Sequence, residues 1–207
     1  AWNLQGGAPL GDLSVGTGGP RGGGLPTGRP VIALASDRSG WGALCGLLSR
    51  GRLACPKGHS RVRLGELAAA GPGLLALVVD PDMLAALREP FAGRLYALVT
   101  RHHRAAELPE EARLRATAAR LGVPVVAGSE VLYHDAARRP LQDVVTCVRL
   151  GLTLGTAGTA IRGNAEHELR SPAAMQALYH DDPEALARTL EVAERCSFSL
   201  AQLRYRY

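Results

Sequence analysis

The sequence predicts an α/β protein of about four strand–helix units, followed by a short all-helical tail. Four short apolar runs, at residues 31–35, 73–79, 94–100 and 123–127, lack polar alternation. Such runs are typical of strands buried on both faces, as in parallel α/β sheets and barrels. An amphipathic segment with apolar residues at helical spacing follows each run. After Gly151 the strand pattern stops and only helical segments are predicted.

The helices have recognisable start signals. They are predicted at residues 39–50, 81–88, 107–121, 139–150, 172–180 and 183–196. Pro81 suits the first turn of its helix, because the N–H that proline lacks would have no partner there. Ser171 and Asp182 are predicted N-caps, each followed by a proline at the first helical position. The tail is therefore predicted to contain two helices.

Residues 1–28 have a different composition from the rest of the chain. They contain ten glycines interspersed with prolines. Such a segment buries too little apolar surface to offset its ordering entropy, so it is predicted to be a disordered leader. A phosphate-binding glycine loop would need a preceding strand, a following helix and a Lys-Ser/Thr pair, and this pattern is missing. The chain does not begin with Met, which suggests a processed, trimmed or partial protein.

Composition excludes several classes of protein. With 46% hydrophobic and 21% charged residues the chain can form a packed core. No run of 18 apolar residues and no signal-peptide pattern occur, so no membrane span is predicted and a cytoplasmic location is expected. The four cysteines are widely spaced and favour reduced thiols. A net charge of +5 hints at an anionic partner, although the pattern does not gather the arginines into one stripe.

Four candidate site residues follow the third and fourth predicted strands. His102 and His103 come after the third strand, and Glu130 and His134 after the fourth. Ligands and metals collect at the carboxyl ends of parallel strands, and imidazole and carboxylate groups bind catalytic divalent metals. The four residues therefore predict a metal site. Solvated loop residues are the simpler interpretation of the same spacing.

Other polar residues have structural interpretations. His59, His167 and His180 are predicted to lie on the surface. The Asp80-Pro81-Asp82 motif is interpreted as a turn and N-cap, and the Arg138-Arg139 pair as a solvated helix start. No nucleophile elbow, HExxH, P-loop or kinase signature occurs, so no catalytic residue is assigned.

Several stretches together resemble one known family. Residues 122–134 (GVPVVAGSEVLYH) and 138–147 (RRPLQDVVTC) are similar to the PHP domain of bacterial C-family DNA polymerase III alpha subunits. The error-prone alpha subunit of translesion synthesis is the most similar type. Residues 34–42 (LASDRSGWG) resemble a strand-to-helix segment in the middle of that domain's barrel. Residues 164–171 (NAEHELRS) resemble the start of the helices that join it to the polymerase palm. The resemblance covers roughly residues 30–207.

The resemblance implies a division of the chain and a parent function. It implies a leader at 1–28, a partial PHP-type (βα) barrel at 29–150 and a helical connector toward a palm at 151–207. The parent would be a nucleotidyltransferase for DNA-templated synthesis in DNA replication and in repair of DNA damage, using Mg²⁺ held by palm carboxylates. Because the chain ends about where the palm would begin, this segment is expected to be structural. Its expected partners are DNA, through the parent polymerase, and replication or translesion accessory proteins.

The sequence departs from the family at its metal site. The family's opening His-x-His motif has no counterpart, and Glu130 and Leu132 stand where the family has an Asp and a His. A site of His102, His103, Glu130 and His134, holding Zn, Mn or Fe, would therefore be degenerate.

Two alternatives to a structural polymerase segment remain open. One is a stand-alone PHP-type metal-dependent phosphoesterase, which would use the four site residues. The other is a non-catalytic interaction domain. A barrel that lacks three strands is also expected to leave two open sheet edges.

Overall fold

The computed structural model describes residues 2–5, 14–15, 28–57 and 60–204, with side chains from residue 31 onward. Six strands occur in this part of the chain: β1 (Trp2–Gln5), β2 (Ser14–Val15), β3 (Gly28–Ala35), β4 (Leu74–Val78), β5 (Leu95–Thr100) and β6 (Val125–Gly128). The helices there are α1 (Arg38–Leu53), α2 (Leu64–Ala68), α3 (Pro81–Leu87), α4 (Glu107–Leu121), α5 (Arg139–Leu150), α6 (Pro172–Leu178) and α7 (Pro183–Arg195). The predicted α/β class with a helical tail is confirmed.

The strands form one mixed sheet in the order β2-β1-β3-β4-β5-β6. β4, β5 and β6 are parallel, as the sequence predicts. β3 instead runs antiparallel to β4, with Val31 opposite Val78 and Ala35 opposite Leu74. A fully parallel sheet is therefore the wrong prediction. An unbroken apolar run reports burial on both faces and carries no information about strand direction.

The helix starts agree with the sequence analysis. Asp80, Ser171 and Asp182 each accept a hydrogen bond from the backbone N–H three residues on, and so cap α3, α6 and α7. Asp37 caps α1 in the same way. The short helix α2 was not predicted, because five residues are too few to show a helical period.

Both faces of the sheet are buried. Leu74 and Val78 of β4 belong to the cluster that also contains apolar residues of α1, α3 and α4. Leu75 and Leu77 point to the opposite face, where Val192 of α7 joins the second cluster. Successive side chains of a strand point to opposite faces, so both sets must be apolar. This explains why the strands show no polar alternation.

The helical tail covers the sheet beside β6. α7 packs against this strand. Arg188 donates a hydrogen bond to the carbonyl oxygen of Val125, and Tyr179 Oη lies 3.0 Å from the carbonyl oxygen of Gly128. β6 is the last strand on this side of the sheet, and the tail covers part of the edge by binding two of its carbonyl oxygens.

On the other side, β1 and β2 continue the sheet beyond β3. These two strands fall within residues 1–28, and most of that segment lies outside the described residues. A disordered leader, and the division at residues 28 and 150, stay predictions. None of the helices in the described part of the chain is both long and apolar enough to span a membrane.

Candidate functional site: a buried histidine pair at the strand ends

A cleft of about 460 Å³ lies at the carboxyl ends of the parallel strands. Its lining includes Asp80 after β4, His102 after β5, and Ser129 and Glu130 after β6. Parallel strands bring these residues together because their carboxyl ends meet at one edge of the sheet. His167, from the segment between α5 and α6, also lines the cleft, as do the charged residues Arg104, Glu110, Arg113 and Arg162.

His102 is held by hydrogen bonds to both ring nitrogens. Its side chain is 2% exposed. The Glu130 backbone N–H donates to Nε2 at 3.1 Å, and Nδ1 lies 3.1 Å from Glu107 Oε1. Because Nε2 accepts, the neutral ring carries its proton on Nδ1 and donates it to Glu107. The ring therefore has no free lone pair with which to bind a metal.

Glu107, in the first turn of α4, anchors this arrangement. Its Oε2 accepts the backbone N–H groups of His102 at 2.7 Å and of Arg104 at 3.2 Å, and its Oε1 accepts Arg104 Nε at 2.9 Å. Burial raises the pKa of Glu107, but these hydrogen bonds outweigh it and bring the pKa to about 2. Glu107 is therefore a carboxylate at neutral pH and fixes the orientation of His102.

His167 stacks on His102, with ring centroids 4.1 Å apart and an interplanar angle of 15°. Its Nδ1 lies 3.2 Å from the carbonyl oxygen of Glu130 and 3.1 Å from Glu130 Oε2. Its Nε2 is buried and has no hydrogen-bond partner among the described residues. Burial, reinforced by the neighbouring His102, keeps the pKa of His167 below its usual value.

The predicted surface position of His167 is wrong, since the residue is 1% exposed. Its carbonyl accepts the Leu132 N–H at 2.9 Å, and Leu169 N–H donates to the Tyr133 carbonyl at 3.0 Å. These hydrogen bonds draw the segment around His167 onto the loop that follows β6. Nothing in the local sequence signals this contact, because the two segments are more than thirty residues apart.

Of the four predicted site residues, the structure brings only His102 and Glu130 to the cleft. His103 is exposed, adopts a positive φ of 54° and lies 3.8 Å from Glu166 Oε2. His134 is exposed as well. His180 is exposed as predicted, and His59 lies outside the described residues.

Two of the groups that would bind a metal are engaged within the protein. The Glu130 carboxylate is shared between Arg162 Nη2, at 2.6 Å, and His167 Nδ1. Both ring nitrogens of His102 are engaged as well. Within the described ranges, no group of three or more His, Cys, Asp or Glu residues could hold a metal ion. The predicted metal site of His102, His103, Glu130 and His134 stays a prediction.

The polar cluster instead connects separate parts of the chain. His102 bonds to α4 through Glu107 and to the loop after β6 through the Glu130 N–H. Asn164 Nδ2 donates to the His102 carbonyl oxygen at 2.6 Å, and His167 packs on the ring. Buried polar networks of this kind rigidify the segments that they join when their members are satisfied.

Comparison of the sequence with known proteins identifies relatives of the chain. No protein-family model matches it. The error-prone DNA polymerase of Pseudomonas paraeruginosa is 42% identical over 191 residues, which cover 88% of the chain. Those of Bradyrhizobium diazoefficiens and Anaeromyxobacter dehalogenans are 37% and 38% identical, over 86% and 87% of the chain. The chain is homologous to one segment of error-prone DNA polymerases.

This homology confirms the resemblance to the error-prone alpha subunit that the sequence motifs indicate. The chain spans 17% or 18% of the length of these relatives, so it matches only a small part of each polymerase. The names of the relatives identify them as error-prone DNA polymerases. They carry no mention of a PHP domain, which stays a prediction.

Proposed function

We propose that the chain is a PHP-type segment of an error-prone DNA polymerase and that its role there is structural. DNA-templated synthesis past lesions, with Mg²⁺, would be carried out by the larger remaining part of such a polymerase. DNA and accessory proteins of replication or translesion synthesis would be the partners of the whole enzyme, in the cytoplasm. The homology to error-prone DNA polymerases supports the parent function.

The hydrogen bonds at both ring nitrogens of His102 are the observation that carries the structural role. A metal or catalytic centre at the strand ends needs lone pairs or acidic protons that face a substrate. Here His102 binds Glu107 and the Glu130 backbone, and Glu130 binds Arg162 and His167. The hydrogen-bonding groups of His102 and the Glu130 carboxylate are engaged within the protein, which supports a connecting role for the cluster.

One observation favours a second candidate, a PHP-type metal-dependent phosphoesterase. His167 Nε2 belongs to a residue that lines the cleft, and it has no partner in the described part of the chain. Both partners of Nδ1 are oxygen acceptors, so Nδ1 carries the proton of the neutral ring. Nε2 is then a free lone pair of the kind that a Zn, Mn or Fe site uses. Such a site would also require His102 to give up one of its two hydrogen bonds.

Metal content and phosphodiester hydrolysis distinguish the two candidates. The full chain, expressed with added zinc, manganese or iron, is analysed by mass spectrometry and assayed with bis-p-nitrophenyl phosphate. We expect substoichiometric metal, no hydrolysis and no rise in melting temperature with any of the three metals. The phosphoesterase would be supported, and the structural proposal refuted, by one bound ion per chain that is lost in His167→Ala and retained in His180→Ala. His180 is the matched control because it is exposed and bonds only to the Ala177 carbonyl oxygen within its own helix turn.

A further inference from the structure

Helix α5 is amphipathic, but its apolar side chains face away from the protein. Its exposed apolar residues follow one another at spacings of three and four, which places them on one side of the helix. We call these residues the apolar face of α5; they are Leu141, Val144, Val145 and Val148, which are 56%, 44%, 53% and 77% exposed. A helix on the surface of a globular protein normally turns such a face toward the core. In α5 the described residues leave it largely uncovered.

The side of α5 that faces the protein is polar. Thr146 and Cys147 are its buried residues. The Asp143 side chain is 15% exposed and lies 3.6 Å from Arg139 Nε. Arg139 also donates from Nη2 to the Arg162 carbonyl oxygen at 2.8 Å. α5 is therefore held to the protein by its polar side, and its apolar face does not contribute to the core.

Helix α7 shows the usual arrangement in the same chain. It is amphipathic as well, and its Ala185 and Val192 belong to the two hydrophobic clusters that cover the sheet. The outward apolar face is thus a feature of α5 and not a general property of the helices of this fold. A contiguous exposed apolar patch on a folded protein marks an interaction site.

Two basic residues border the apolar face. Arg138 precedes Leu141 by three residues, and Arg149 follows Val145 by four. Residues at these spacings are neighbours on a helix surface. Both arginines are exposed, and neither forms an ion pair with any described residue. Asp143, the one acidic residue of α5, lies on the opposite side. The border of the apolar face is therefore positively charged and complements carboxylates.

Two other occupants fit the apolar face less well. If two copies of α5 paired in antiparallel orientation, Arg138 of one would lie beside Arg149 of the other, and parallel pairing would place each arginine beside its own counterpart. Like charges in such positions repel and suppress the pairing. Helices that lie on a lipid surface carry Trp, Phe or Leu on the apolar side and many basic residues on the polar side. The apolar face of α5 consists of three valines and one leucine, and its polar side contains Asp143.

We propose that the apolar face of α5 binds an amphipathic helix of a separate accessory protein, whose apolar side chains are flanked by Asp or Glu. Apolar residues at i, i+3, i+4 and i+7 are recurring anchors in the recognition of one helix by another surface. The partner would cover the apolar face, and its carboxylates would pair with Arg138 and Arg149, where charge sets specificity. The proposal rests on the proposed function for the kind of partner, because accessory proteins are expected to bind the whole polymerase.

Fluorescence anisotropy with the full chain and two labelled helical peptides tests the proposal. Both peptides carry leucines at positions i, i+3, i+4 and i+7. The flanking residues are Glu in the acidic peptide and Lys in the basic peptide. We expect the wild type to bind the acidic peptide at least about tenfold more tightly than the basic peptide. The variant R138E/R149E should reverse this preference, which a purely structural role of the two arginines would not produce.

Two triple variants test the contribution of the apolar side chains. L141A/V145A/V148A shortens three residues of the apolar face. The matched control, L108A/L190A/L200A, shortens three exposed leucines that lie outside α5. We expect the first variant to bind the acidic peptide at least about tenfold more weakly than the wild type, and the control to bind it within about twofold. Melting temperatures establish that all variants are folded.

A chimera tests whether the rest of a polymerase covers α5. In the chimera this chain replaces the homologous segment of the Pseudomonas paraeruginosa error-prone DNA polymerase, so that α5 keeps its sequence. DNA synthesis by the chimera establishes that it is folded. We expect the active chimera to bind the acidic peptide as tightly as the chain alone does.

Five outcomes would overturn the proposal. The peptide assays could show no preference of the wild type for the acidic peptide, or an equal loss of affinity in the two triple variants. The active chimera could fail to bind the acidic peptide, which would assign the apolar face to the rest of the polymerase. Sedimentation equilibrium could show self-association that L141A/V145A/V148A abolishes. Phosphatidylserine vesicles could bind more tightly than the acidic peptide.

The metal and hydrolysis assays test the proposed function separately. A phosphoesterase result would reject the structural role without changing the comparison of the two peptides or of the two triple variants.

Discussion

Replacing Tyr179 with Phe removes a hydrogen-bonded link between the helical tail and the sheet. The Tyr179 ring is fully buried. Its Oη lies 2.9 Å from the carbonyl oxygen of Val99 in β5 and 3.0 Å from that of Gly128 in β6. The Arg101 guanidinium lies 4.7 Å from the centre of the ring. Phe keeps the ring and its packing, so Tyr179→Phe isolates the hydroxyl.

We expect Tyr179→Phe to lower the free energy of unfolding by about 1–3 kcal/mol at pH 8, because it removes the single O–H donor that the two carbonyl oxygens share. The effect should depend on pH. Burial raises the pKa of Tyr179 to about 12, whereas the phenol of the unfolded chain titrates near pH 10. The unfolded chain therefore loses its proton first, and the contribution of Tyr179 to stability falls as the pH rises from 10 toward 12. At pH 11 the wild type should have lost about 1 kcal/mol of this contribution, a loss that the Phe variant cannot show.

Urea unfolding followed by circular dichroism at pH 8 and pH 11 measures both effects. Tyr133→Phe is the matched control, because the Tyr133 ring is also buried but its Oη has no hydrogen-bond partner in the part of the chain that the structure describes. Its removal should cost less than about 0.5 kcal/mol. Two results would refute the role of the Tyr179 hydroxyl. One is an equal loss of unfolding free energy in Tyr179→Phe and Tyr133→Phe. The other is a difference in unfolding free energy between the wild type and Tyr179→Phe that is no smaller at pH 11 than at pH 8.

Three further predictions concern the packing, the site and the tail. Gly40→Ala should destabilise the protein by several kcal/mol, because its Cβ would lie 1.7 Å from the Gly73 carbonyl oxygen. Gly42→Ala in the same helix meets nothing within 4 Å and should stabilise it by up to about 1 kcal/mol; similar melting temperatures would contradict this packing of α1. Glu107→Gln should cost about 1–3 kcal/mol at pH 7. This difference in stability between wild type and variant should disappear as the pH falls from about 4.5 to about 2, because Glu107 of the folded wild type then becomes protonated. A urea titration that shows the same difference at pH 2 as at pH 7 would contradict this prediction. Arg101→Met removes contacts to two carboxylates, on α4 and in the turn before α7. Limited trypsin digestion should then cleave the tail faster, and an unchanged rate would show that other contacts hold it.

The parts of the fold that follow local rules could be predicted from the sequence. Ser171 and Asp182 are N-caps, and a cap depends on groups within three residues. The strands β3 to β6 were predictable, because each contains consecutive apolar residues, whereas a strand with one exposed face would alternate apolar and polar residues. The direction of β3 was not predictable, since pairing with β4 depends on the path of the chain through α1 and α2. The position of α7 beside β6 depends on contacts across some sixty residues, as between Arg188 and Val125.

The order of β3 to β6 and of the six longer helices, the starts of α3, α6 and α7, and the kinship with error-prone DNA polymerases follow from the sequence, because each depends on neighbouring residues or on stretches that can be compared directly. The three-dimensional fold is needed to show that His167, and not His103 or His134, joins His102 at the strand ends. Folding also brings the last turn of α1 against the segment before α2, where the Arg61 N–H donates to the Gly51 carbonyl oxygen. Stacking, hydrogen bonds and charge proximity between distant residues leave no periodic signal in a sequence, because they arise only after the backbone has brought those residues together.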